Sequence, residues 1–181
     1  CAKKNPTNNQ KNQDQQTSGI NQQQQKTAEI KEVRIAEYQD QLLEVAFEAA
    51  NFIPIEPFKK ERARAQQHVV ETCIDLGQTL TAVEYTRQIT NWRKGLCYGK
   101  IAFYCAENNY KQNVDDYILL AEEIAAMDHG QEWRSDIIRV EILKAKKALG
   151  QSIAPQNFEE SETGKIVATD AGYTNQEYFE N

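Results

Sequence analysis

The chain has 181 residues, 40% of them hydrophobic, a formal net charge of -6 and an isoelectric point of about 5.1. A chain of this length holds one domain with polar extensions. Lys and Arg are nowhere gathered into a stripe, so nucleic acid is not an expected partner. No run approaches the ~18 apolar residues of a membrane-spanning helix. The mean hydropathy of -0.74 reflects polar ends, because residues 28–150 carry nearly all of the apolar content.

Residues 1–26 come first and are of low complexity: thirteen of the 26 are Asn or Gln. Such a segment cannot bury enough surface to offset its ordering entropy and is expected to be a flexible spacer. As a coil it would reach roughly 30 Å. Its first residue is Cys1, followed by Ala2-Lys3-Lys4-Asn5-Pro6. That start resembles a mature bacterial lipoprotein, in which a signal peptide is removed just before the cysteine that carries the lipids. The resemblance implies lipidation at Cys1. It also implies the outer membrane, since Ala2 stands where an Asp would retain the protein at the inner one. The basic residues after Cys1 favour a periplasm-facing anchor, with surface exposure left open.

From Thr27 the pattern turns helical, and Ile35, Tyr38, Leu42, Val45, Ala46, Ala49, Phe52 and Ile53 are expected to form the buried stripe of a first helix. Pro54 and Pro57 end it, and Pro57 suits the first position of a second helix. That helix carries Phe58, Ala65, Val69, Val70, Cys73 and Leu76 and closes at Gly77, a left-handed cap. A third helix is predicted over about Thr79–Ile89, and a fourth from Trp92 to about Glu107, opened by Asn91 and broken by Asn108-Asn109. A fifth follows Asn113, with Val114, Tyr117, Ile118, Ala121, Ile124 and Ala125 on one side. After the turn at Asp128-His129-Gly130, a sixth runs over about Gln131–Leu149, with Lys144, Lys146 and Lys147 near its carboxyl end as the macrodipole favours. Six helices with short connections, and no strand pattern before residue 150, predict an all-α fold of antiparallel hairpins.

Three stretches share a register. Glu61-Arg62 leads to Cys73 and Gly77, Trp92-Arg93 to Cys105 and Asn108, and Trp133-Arg134 to Ala145 and Gly150. With the small residues Gly77, Ala82, Ala102 and Ala121, this spacing resembles degenerate tetratricopeptide-like helical-hairpin repeats over residues 58–150. Most of that family's aromatic and proline positions are lost and the spacing is uneven. The resemblance implies a short stack whose groove binds a protein partner, with Tyr85, Tyr98, Tyr104, Tyr110 and Tyr117 as candidate lining. Any one of these tyrosines is more simply a core or surface residue. Trp92 and Trp133 read as wedges between neighbouring hairpins. Arg62, Arg93 and Arg134 read as partners of loop carbonyls or carboxylates.

Residues 151–181 change character again, with six acidic side chains against Lys165 alone. Phe158, Tyr173, Tyr178 and Phe179 make this acidic arm a second candidate partner-binding element. The chain thus divides into a tether (1–26), a helical repeat domain (27–150) and the arm (151–181).

Chemistry is hard to find. His68 and His129 have no second ligand at helical spacing, and no phosphate-binding, dinucleotide or nucleophile-elbow motif is present. Cys73, Cys97 and Cys105 lack metal spacing and read as small core residues, although an oxidising compartment would permit one disulfide. No catalytic residue, metal or cofactor is expected, and oligomeric state is left open. The expected function is a membrane-tethered protein-binding adaptor or scaffold of a bacterial cell-envelope assembly. A pilotin-like accessory lipoprotein and a purely structural subunit are the alternatives.

Overall fold

The computed structural model describes residues 29–110, 113–127 and 129–151. Among these the fold is all-helical, with six helices in the expected order: α1 (Glu37–Phe52), α2 (Lys59–Asp75), α3 (Thr79–Gln88), α4 (Arg93–Glu107), α5 (Val114–Ala125) and α6 (Glu132–Ala148). Each helix packs on the next, and α4 also packs on α2 and α6. The tether, the strand-like stretch 166–169 and the acidic arm beyond residue 151 lie outside the described residues.

The ends of the even-numbered helices have a common chemistry. Gly77, Asn109 and Gly150 take positive φ (71°, 61° and 71°). The next amide in each case reaches back to a carbonyl five residues earlier: Gln78 to Cys73 at 2.8 Å, Tyr110 to Cys105 at 2.8 Å and Gln151 to Lys146 at 3.0 Å. This is the Schellman arrangement, which satisfies carbonyls the helix itself leaves free. At the second of these turns the left-handed residue is Asn109 rather than Asn108. Pro57 stands in the turn before α2, which opens at Lys59.

The core centres on α4, nine of whose fifteen residues are buried. Two of the nine are Gly95 and Gly99, one helical turn apart. A Cβ on Gly95 would lie 2.8 Å from Ile124 Cγ2 and 2.9 Å from Ile138 Cδ1, and one on Gly99 would lie 2.7 Å from Glu141 Cβ. The two glycines therefore set how closely α5 and α6 approach α4. Ala82, Ala102 and Ala121 are fully buried as well, so small side chains recur where the helices pack.

The chain enters differently from the sequence expectation. Helix α1 begins at Glu37, and residues 29–36 are non-helical. They lie along the α2–α3 turn: the Val33 amide donates to the Gly77 carbonyl (3.3 Å), and Gln78 Nε2 donates to the Val33 carbonyl (2.6 Å). Gly77 is needed twice here, for its positive φ and because a Cβ would come 2.5 Å from Val33 Cγ2. Glu32 Oε1 accepts the Leu80 and Thr81 amides at 3.0 and 3.2 Å. A carboxylate from nearly fifty residues upstream thus caps α3, at the end where the helix dipole favours negative charge.

Candidate functional site

Helix α1 carries two apolar stripes, and the structure buries the narrower one. Leu43, Phe47 and Ala50 face inward. Phe47 stacks on Tyr85 of α3 with ring centroids 3.9 Å apart and planes 5° from parallel. Most of the stripe expected from periodicity to be buried faces solvent instead: Tyr38 is 65% exposed, Leu42 62%, Val45 60% and Phe52 84%, whereas Ile35 and Ile53, just beyond the two ends of α1, are partly buried. Ala46 and Ala49 are exposed too. At 100° per residue the two stripes lie roughly 150° apart around the helix. Only the inner one meets α2, which holds α1 further through a polar cluster at its end. Gln66 Nε2 donates to Asn51 Oδ1 (2.7 Å), and Arg62 donates to the Ile53 carbonyl (3.2 Å) and to Asn51 Oδ1 (3.4 Å).

The outer stripe has a regular pattern. Tyr38, Leu42, Val45, Ala49 and Phe52 follow at steps of four, three, four and three, the a/d spacing of a helix that pairs with another helix. Ile55 and Phe58, also exposed, continue the apolar character into the turn beyond. The polar part of α1 bears Glu37, Asp40, Glu44 and Glu48 and no Lys or Arg. Glu37, Glu44 and Glu48 fall along one flank of the stripe.

The candidate tyrosines are dispersed. Tyr98 and Tyr117 are buried and stacked on each other, centroids 6.4 Å apart, which takes both out of any exposed groove. Tyr85 is spent on Phe47. Tyr110 donates its hydroxyl to the Lys31 carbonyl (3.3 Å), clamping the segment that precedes α1. Of the five, Tyr104 lines a cleft of about 430 Å³ formed by α2, α4 and α6, with Phe103 beside it. Charged groups dominate that cleft. Lys100 Nζ meets Glu71 Oε1 at 2.7 Å and Lys144 Nζ meets Glu141 Oε1 at 2.9 Å. Burial raises the Glu71 carboxyl, but hydrogen bonds from Lys100 and Gln67 and the Lys100 charge outweigh it and hold the group below the ordinary 4.5. Cys1, Phe158, Tyr173, Tyr178 and Phe179 lie outside the described residues.

The two tryptophans come together edge to face, centroids 5.4 Å apart, between the starts of α4 and α6. Arg93 lies over the Trp92 ring at 4.7 Å and Arg134 over the Trp133 ring at 5.5 Å. Arg134 bonds the His129 carbonyl and Arg62 that of Ile53, so two of the three repeated arginines do satisfy loop carbonyls. Arg93 bonds Gln67 instead. Cys73, Cys97 and Cys105 are buried and free, and desolvation pushes each thiol up to about 12. At neutral pH they are therefore protonated and poor nucleophiles. Among the described residues no cluster of His, Cys, Asp and Glu is placed to hold a metal, and no helix is long and apolar enough to cross a membrane.

The exposed stripe of α1 is thus the feature that folding alone does not account for. Sequence reasoning found its residues but assigned them to the wrong side. No protein-family model matches the chain, and neither curated proteins nor solved structures yield a similar one.

Proposed function

We propose that this chain is a membrane-tethered protein-binding adaptor whose α1 face receives an amphipathic helix with basic flanks, supplied by another protein. The single observation that carries the reading is the a/d stripe on the outside of α1. A surface helix ordinarily turns its apolar face inward, whereas α1 turns its longer one to solvent. Contiguous exposed apolar surface of this kind marks an interaction site, and the four-three spacing suits a helix laid alongside.

Charge selects the occupant. With four carboxylates and no cation on α1, a partner helix bearing Lys or Arg beside its apolar seam complements the flank. A second copy would contribute four more carboxylates and no cation from its own α1. Residues 151–181 hold six acidic side chains against one Lys, so they carry the same sign. Residues 1–28 are basic but have only Ala2, Ile20 and Ala28 as ordinary apolar residues. A bilayer surface wants Lys and Arg on the polar face of a docking helix, the reverse of α1. Lipidation at Cys1, implied by the lipoprotein-like start, would hold the adaptor at the envelope on its Gln/Asn-rich spacer.

The test uses two synthetic helices with the same Leu/Ile seam, one flanked by Lys and Arg and one by Glu. The basic peptide should bind the full chain saturably and the acidic one should not. The Leu42→Glu/Val45→Glu variant should lose binding while its melting temperature stays close to that of the parent. Failure of the basic peptide, dimerisation of the chain through α1, or α1-dependent binding to lipid vesicles would each overturn the reading. The tether is checked separately: Cys1→Ser should release the protein from the membrane fraction.

A further inference from the structure

A second site lies at another place in the fold and is independent of α1. We propose that the cleft of about 630 Å³ at the starts of α2, α4 and α6 binds a phosphate group. Lys59 and Lys60 line it from the first turn of α2, Trp92 and Arg93 from the start of α4, and Trp133 and Arg134 from α6, and no Asp or Glu is among its described lining residues. Four cationic side chains thus share one concavity, with no carboxylate among the described residues of its wall.

The two arginines are held, not neutralised. Each guanidinium lies over a tryptophan ring, 4.7 Å from the centroid for Arg93 and 5.5 Å for Arg134, a cation–π contact that helps to place it. Each spends Nη1 on a neutral oxygen, Gln67 Oε1 for Arg93 and the His129 carbonyl for Arg134. Neither Nη2 has a protein acceptor among the described residues. A guanidinium positioned by these contacts and still able to donate suits oxyanion recognition. Burial lowers the Arg93 pKa, and the like charges of Arg64 and Arg134 do so too, with Cys97 and Glu71 opposing them only in part. That repulsion is a cost an anion would relieve. The positive ends of three helices add to the same field, since Lys59 and Arg93 open α2 and α4 and Trp133 lies in the first turn of α6.

Four positive charges exceed what one carboxylate would balance, which favours the doubly charged phosphoryl group. The same chemistry is presented by a soluble phosphate monoester and by an exposed phosphate headgroup in a lipid surface. The experiment separates these sources.

The chain's only two tryptophans are both in the cleft wall, so their emission reports occupancy directly. At constant ionic strength, full-length protein is titrated with inorganic phosphate, with glycerol phosphate, and with vesicles of phosphatidylcholine with or without phosphatidic acid. A saturable change with the soluble phosphates supports a free ligand. A change with phosphatidic acid vesicles alone supports a headgroup. In either case Lys59→Gln/Lys60→Gln, which alters two exposed side chains, should weaken binding at least tenfold, the scale of a lost charge-assisted contact. Lys147→Gln, near the far end of α6, should leave it within about twofold. Arg134→Lys keeps the charge but removes the fork, and should weaken binding about tenfold as well. Circular dichroism melts confirm that each variant is folded. The proposal is overturned if no probe changes the emission, if sulfate and a dicarboxylate match phosphate, if Lys147→Gln acts like the Lys59/Lys60 pair, or if only a Glu-rich peptide saturates the signal.

Discussion

Replacing Phe47 or Phe52 with Ala separates the two faces of α1. The residues are five apart on one helix and chemically identical, so the same side-chain atoms are removed in both variants. Phe47 is 2% exposed and stacked on Tyr85, whereas Phe52 is 84% exposed. Truncating a buried Phe costs about 3–5 kcal/mol, of which a stacked aromatic pair accounts for roughly 0.5–1.5 kcal/mol. An exposed truncation stays within about 0.5 kcal/mol. In a domain of this size a 3 kcal/mol loss lowers the melting temperature by roughly 10 °C, while Phe52→Ala should leave it nearly unchanged. Because α1 is held mainly by α2, the loss at Phe47 is bounded by the free energy of docking α1. If that bound is reached, α1 detaches first, visible as early hydrogen exchange at the amides of residues 43–50. Far-ultraviolet circular dichroism melts of both variants decide the matter. A loss at Phe52 equal to or larger than that at Phe47 would mean that the exposed stripe is core after all, and the docking argument would fall with it.

The glycines of α4 should resist enlargement: Gly95→Ala forces a methyl against Ile124 and Ile138 and should cost about 1–3 kcal/mol, as should Ala121→Leu on the fully buried face of α5, both read from denaturant melts. Glu32→Ala removes the acceptor of the Leu80 and Thr81 amides, so stability should fall by about 1 kcal/mol, with faster amide exchange at the start of α3. The Glu71–Lys100 pair should shape the pH profile. The Glu71 pKa is held below 4.5, so its contribution is present above about that pH and is lost as pH falls through the folded-state value. Burial lowers the Lys100 pKa but the Glu71 contact outweighs it and raises the group above 10.5, so its contribution is present below that pH and is lost as pH rises further. Glu71→Gln should therefore flatten the acid limb of a stability–pH curve, and an unchanged limb would remove the pair from the account.

The number and order of the helices, and the carboxyl ends of α1, α2, α4 and α6, were legible in the residues, because these depend on local chemistry. Pro54 stops α1 wherever the helix packs, and Gly77 and Gly150 accept positive φ at no steric cost. The paired Asn108-Asn109 marked the end of α4 to within one residue. The matching Trp-Arg openings were legible too, but not their convergence on one cleft, since a helix start has no local record of its neighbours. Gly95 and Gly99 carried a readable signal in their one-turn spacing, and it passed unread. Only the tertiary structure decided which stripe of α1 is buried. Two apolar periodicities coexist in Glu37–Phe52, and the longer one looks like the core. The choice rests on Tyr85 and on α2, remote in sequence, which offer a ring to stack on and a hydrogen-bonding cluster to hold the end of the helix. The course of residues 29–36 was likewise settled from outside, by the Gly77 turn that receives Val33 and the α3 amides that receive Glu32. Periodicity records that a face is apolar. What covers it depends on where the rest of the chain, or another molecule, is placed.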